Sequence, residues 1–81
     1  MTINIYNETW EYFVRNTIWL RKHFSLSKKK MAEILGISVS TLTEIEKGNM
    51  PDEVTVEVLF KAEKYFGIPI KDFISHFIYD V

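Results

Sequence analysis

The residues with the most chemistry to offer are three consecutive lysines, Lys28, Lys29 and Lys30, directly after Ser27. A serine ahead of an apolar periodic run reads as a helix cap, which puts the lysines in a first turn. There they oppose the helix dipole, whose N-terminal end is already partly positive. That placement invites an external anion. Catalysis finds no comparable footing. The chain has no cysteine, so it has no thiolate or disulfide. His23 and His76 are too far apart in sequence to form a metal-ligand pattern, no serine, histidine and acid fall into a nucleophile motif, and there is no glycine-rich phosphate loop. The expectation is a protein that is not an enzyme and that uses no metal and no cofactor.

The lysines belong to the stretch that organises the chain, LSKKKMAEILGISVSTLTEIEKG, from Leu26 to Gly48. Met31, Ala32, Ile34 and Leu35 give one helix a buried face. Gly36 stands where that helix must stop, since glycine accepts the left-handed backbone of a helix C-terminus. Ile37 anchors the turn, Ser38 caps a second helix, and Leu42 and Ile45 point that helix inward. Gly48 ends it. The spacing predicts helices over about 27–35 and 38–47, joined by a tight turn, which is a helix-turn-helix unit.

The flanks are also helical in pattern. Trp10, Phe13, Thr17, Leu20 and Phe24 recur at spacings of three and four, predicting a helix from about 8 to 24 with Asn7 as its cap and residues 1–7 as an extended arm. Ile18 and Trp19 fall off that stripe. Asn49 to Glu53 read as a loop, because Pro51 disfavours helical backbone at Met50. A fourth helix is expected over about 53–66, with Val56, Leu59, Phe60 and Phe66 facing inward. A fifth is expected over 70–80, carrying Phe73, Ile74, Phe77 and Ile78. At 81 residues the chain is expected to be one all-α domain. No apolar run approaches the ~20 residues of a membrane span. The first residues lack the basic segment and apolar core of a signal peptide. A cytoplasmic protein is expected.

The central stretch resembles the helix-turn-helix domain of the Cro and phage-repressor type, the XRE family. The resemblance is carried by Leu26, Ser27, Met31, Ala32, Leu35, Gly36, Ile37, Ser38, Ser40, Thr41, Leu42, Ile45, Glu46 and Gly48, and extends more loosely over about 17–75. It implies a five-helix lambda-repressor-like fold whose third helix enters the major groove of double-stranded DNA. The positions that meet base edges are then Val39, Ser40, Thr41, Thr43 and Glu44. Valine can pack on a thymine methyl, the hydroxyls can donate or accept, and an ionised Glu44 can accept from a cytosine amino group. Many relatives carry Arg or Gln at the Val39 and Glu44 positions, so this face lacks a bidentate reader of guanine or adenine. The resemblance assigns phosphate contacts to Lys28, Lys47 and Asn49, and the lysine run itself adds Lys29 as a further phosphate contact. The resemblance also implies an Arg21–Glu46 salt bridge between helices 1 and 3, with Arg21 in reach of a phosphate.

The net charge of −1 is unusual for a dedicated DNA binder. Its distribution is more informative, because the excess acid lies after residue 50 and the N-terminal half is slightly basic. A sequence-specific regulator binding a palindromic operator as a homodimer is the leading expectation. Phe77, Ile78 and Val81 are expected at the dimer interface, joined by Trp10 or Trp19, since one short helix cannot bury so many apolar residues on so small a core; the other arrangement is that the long first helix folds across this tail within one chain. The alternative is a protein-interaction module, for example antitoxin-like with a toxin as partner. The acidic C-terminal part, Glu44 and the many aromatic residues favour it.

Overall fold

The longest element, α1 (Ile3–His23), carries the stripe Phe13, Thr17 and Leu20 along its buried face, three and four residues apart as a helix requires. The computed structural model describes the backbone of residues 3–51 and 54–78, and side chains from Glu8 onward within those ranges. After α1 come α2 (Lys28–Leu35), α3 (Val39–Glu46), α4 (Val56–Phe66) and α5 (Ile70–Phe73). All five are helices, with no strand among the described residues.

Packing follows the apolar pattern. The tight turn lays α2 against α3, and α4 covers the other side of α2. α1 crosses α3 and meets α5, which also touches α4. Phe13, Leu20, Met31, Leu35, Leu42, Ile45 and Phe73 form the centre of the core, each at most 1% exposed.

Several boundaries differ from the sequence expectation, each for a local reason. The chain is already helical at Ile3, so the described part of the expected arm is the first turn of α1, and Asn7 lies inside the helix instead of capping it. α1 stops at His23 because Ser25 takes a left-handed φ of 56° and Leu26 N–H turns back to the Arg21 carbonyl at 2.8 Å. Phe24 therefore leaves the stripe. It is exposed and stacks on Phe66 at 5.9 Å between centroids. α4 begins at Val56, not 53, since Thr55 supplies the cap by accepting from Glu57 N–H at 3.2 Å. Of the residues expected on its inward face, Leu59 and Phe66 are half-buried and pack against the core, whereas Val56 and Phe60 do not. Val58 and Ala62 are buried, while Val56 and Phe60 are 66% and 55% exposed.

The largest difference is in the C-terminal segment. The helix expected over 70–80 is one turn, and the chain beyond that turn is held by Asn16 of α1. The Asn16 amide nitrogen donates to the carbonyls of Phe73 and His76, both at 2.9 Å, and its oxygen accepts from Ile78 N–H at 2.8 Å. Asn16 is only 1% exposed, yet its amide oxygen and both amide hydrogens are satisfied. Carbonyls that a longer helix would have used internally are thus spent on a side chain. The tail lies across α1, where Ile78 is 8% exposed and Phe77 packs edge-on to Tyr12 at 4.8 Å. Ile78 is a core residue of its own chain, which removes it as a dimer contact. Val81 lies outside the described residues.

Candidate nucleic-acid interface

The turn between α2 and α3 is built from caps that satisfy backbone groups a helix end leaves open. Ser27 Oγ accepts from Lys30 N–H at 3.0 Å, and Ser38 Oγ accepts from Thr41 N–H at 3.1 Å. Gly36 adopts φ +74°, and Ile37 N–H reaches back to the Ala32 carbonyl at 3.0 Å, closing α2. A Cβ at Gly36 would lie 2.9 Å from Lys61 Cδ and Cε, the far end of a flexible side chain that can move aside, so the backbone angle is what chiefly reserves the position for glycine.

These caps fix the phase of α3. Thr41, Leu42 and Ile45 face the core, and Val39, Ser40, Thr43, Glu44 and Lys47 form the outward stripe. Thr41 is therefore not where the family resemblance puts it. It is 6% exposed and its hydroxyl accepts from Ser38 Oγ at 2.9 Å, so it completes the cap and offers no edge to a ligand. Val39 and Ser40 are exposed, and Thr43 and Glu44 are half-exposed.

Two side chains of α1 fasten the C-terminal end of α3. Arg21 grips Glu46 through a fork, Nε to Oε2 at 2.7 Å and Nη2 to Oε1 at 3.1 Å, and Nη1 donates to the Leu26 carbonyl at 3.2 Å. The two side chains are 17% and 11% exposed. With its fork engaged and most of its surface covered, Arg21 acts first as a brace between α1, the α1–α2 loop and α3. Trp10 adds a second tie, donating from Nε1 to the Gly48 carbonyl at 3.2 Å. Trp19 stacks on His23 at 4.5 Å. Both tryptophans thus have partners within the chain.

The groups expected to meet phosphate fall into two sets. Lys28 is half-buried and Lys29 and Lys30 are exposed, and among the described residues none of them forms an ion pair. Lys47 and Asn49 are engaged with Glu44 instead. Asn49 Nδ2 donates to Glu44 Oε1 at 2.7 Å, and Lys47 Nζ lies 3.5 Å from Oε2. The Asn49 hydrogen bond first, and the Lys47 charge second, hold the Glu44 carboxyl below its ordinary pKa. Glu44 is thus an ionised acceptor.

Sequence reasoning did not pick out Asn16, although a signal was present. Asn16 falls three residues after Phe13 and four before Leu20, on the apolar stripe, where a polar residue must find partners if buried. Among the described residues no group of His, Asp and Glu side chains could hold a metal ion, and no helix is long and apolar enough to cross a membrane.

Known proteins place this geometry in context. The sequence profile of the family described as Helix-turn-helix matches residues 18–73, which covers the C-terminal end of α1 and all of α2, α3, α4 and α5. The chain is also 34% identical over 62 residues to an uncharacterized HTH-type transcriptional regulator of Methanocaldococcus jannaschii, a match spanning 76% of this chain and 86% of that protein. No solved structure matches significantly. The matched span contains the capped turn and the outward stripe of α3, and the chain belongs to the helix-turn-helix family of the Cro and phage-repressor type.

Proposed function

We propose that this chain is a DNA-binding transcriptional regulator that lays the Val39, Ser40, Thr43 and Glu44 edge of α3 in the major groove. The observation that carries the reading is the division of α3 into a fully packed inner face and a small, polar outer edge braced at its C-terminal end. A short helix must be rigid before its side chains can discriminate bases, and the Arg21–Glu46 fork with the Trp10 tie supplies that rigidity. The family and the named function of the archaeal relative point the same way. Lys28 and Lys29 are the phosphate contacts available without rearrangement. Contacts of that kind set register and affinity, not sequence. A regulator of this type works in the cytoplasm.

Homodimerisation belongs to the proposal. Two copies would set two α3 helices on half-sites about one helical turn, ~34 Å, apart. With Ile78 buried in its own chain, half-buried Phe77 remains for a second copy, and Val56 and Phe60, four residues apart on α4, are among the exposed apolar residues it could cover. The test is selection from a randomised duplex library with sedimentation on the same preparation. The expected result is an enriched, two-fold symmetric motif bound by a dimer. No enriched motif at low salt would favour the protein-interaction alternative, which the exposed Phe60 and Tyr65 support.

A further inference from the structure

The corner where α3 ends contains a local competition. Both oxygens of Glu44 are engaged, one by Asn49 Nδ2 at 2.7 Å and the other by Lys47 Nζ at 3.5 Å. The backbone donors of the same corner are spent too. Lys47 N–H returns to the Thr43 and Glu44 carbonyls, Gly48 N–H to Ile45, and Asn49 N–H to Glu44. A phosphate arriving here would meet the Lys47 and Asn49 side chains, and both already hold the Glu44 carboxylate, whose charge opposes a second anion. The geometry that allows this is the left-handed φ of +93° at Gly48, which turns Asn49 back beside Glu44. An anion thus sees a pair of opposite charges that sum to zero.

We propose that Glu44 is a specificity gate: its carboxylate stands in for a DNA phosphate on Lys47 and Asn49, and releases them only where a base-edge donor takes the carboxylate over. The proposal rests on the DNA-binding reading above. The donor's chemistry is set by the acceptor. An ionised carboxylate on the groove-facing edge needs an exocyclic amino group, and cytosine presents one in the major groove. On a sequence without that donor, freeing Lys47 strands the Glu44 charge near phosphates, so the contact is not made. On the right sequence one swing of Glu44 gains a base contact and a phosphate contact together. The pair is suited to this because it is exposed, with the two side chains 63% and 45% accessible, and exposed pairs are weak enough to exchange partners.

The test uses the parent protein, Glu44→Gln, Glu44→Ala and Glu44→Ala combined with Lys47→Ala. Affinity for a random-sequence duplex is measured against salt. Releasing Lys47 to phosphate should steepen the log–log salt dependence of Glu44→Ala by about 0.9. Adding Lys47→Ala should return it to the parent slope. Glu44→Gln, which keeps an acceptor for Asn49 without the charge, should also steepen the slope, and both single variants should lose preference for cytosine at one position. Equal slopes for parent and Glu44→Ala overturn the proposal. A second measurement separates this failure from failure of the DNA reading: the Asn49 side-chain amide resonance is followed while inorganic phosphate is added. It should move in Glu44→Ala and stay in the parent. If no variant binds any duplex but the resonance moves in Glu44→Ala alone, the carboxylate is an anion stand-in and the DNA reading falls. A resonance unmoved in both overturns the stand-in itself.

Discussion

Replacing Arg21 with alanine should be among the most damaging single changes in this chain. The substitution removes two charge-assisted hydrogen bonds to Glu46 and one to the Leu26 carbonyl, and it leaves a carboxylate that is 11% exposed with no partner. Removing one partner of a fully buried pair costs about 3–5 kcal/mol, whereas an exposed pair contributes about 0–1 kcal/mol. The accessibilities of 17% and 11% place this pair near the buried limit but not at it. The expected loss is therefore about 3 kcal/mol. For a domain of this size that corresponds to a fall in melting temperature of about 12–24 °C. Arg21→Lys keeps the charge and loses the fork, so it should fall between parent and alanine variant. Arg21→Met with Glu46→Leu removes both charges, strands neither, and should be less damaging than Arg21→Ala alone. Thermal and urea denaturation followed by circular dichroism measures all three. An Arg21→Ala protein melting within about 3 °C of the parent, well inside the expected shift, would refute the argument, because the pair would then behave as a surface contact.

Three further outcomes are expected. Asn16→Leu leaves the Phe73 and His76 carbonyls and the Ile78 N–H without their partner, at about 1–3 kcal/mol for each group that stays buried, and amide exchange at Ile78 should speed up before that of α2 and α3. Gly36→Ala should cost about 1 kcal/mol or more from the positive φ, and part of the loss should return in Gly36→Ala with Lys61→Ala, since the contact at 2.9 Å is with a flexible side chain; no recovery in the double variant would assign the whole loss to the backbone. Ser38→Ala should cost more than Ser27→Ala in the same denaturation assay, with about 1 kcal/mol for a cap, because Ser38 serves both the backbone and the buried hydroxyl of Thr41.

The features legible in the sequence were those decided locally. Ser27, Gly36 and Ser38 act within a few residues of themselves, so their types and spacing are sufficient to place α2, the turn and α3. The outward stripe of α3 comes from the same spacing, apart from Thr41, whose burial comes from a second hydrogen bond to its own cap. Contacts between distant elements were harder to read. On α4, Leu59 and Phe66 pack inward as their spacing suggests, but Val58 and small Ala62 hold the centre of the face while Val56 and Phe60 stay outside. Hydrophobicity alone cannot reveal how closely two helices approach. The end of α5 depends on Asn16, some sixty residues away in the chain, and no local pattern near Phe73 announces it. The tie between Glu44, Lys47 and Asn49 was hidden for another reason: each residue has an external partner in the family resemblance, and although Glu44 and Lys47 are neighbours by helical spacing, the turn at Gly48 is needed to bring Asn49 back to Glu44.

The Asn16 contacts also bear on how the protein emerges from a ribosome. α2, the turn and α3 can assemble as soon as they leave the exit tunnel, since their capping bonds join neighbours in sequence. α1 is made first but completed last. Its buried amide waits for partners 57 to 62 residues downstream, and until they arrive one face of the helix stays uncovered. A nascent chain stalled before Phe73 has left the tunnel should therefore be cut by protease within α1, while one stalled well after Ile78 should resist. Equal resistance in the two would show that α1 is held well enough by α3 alone.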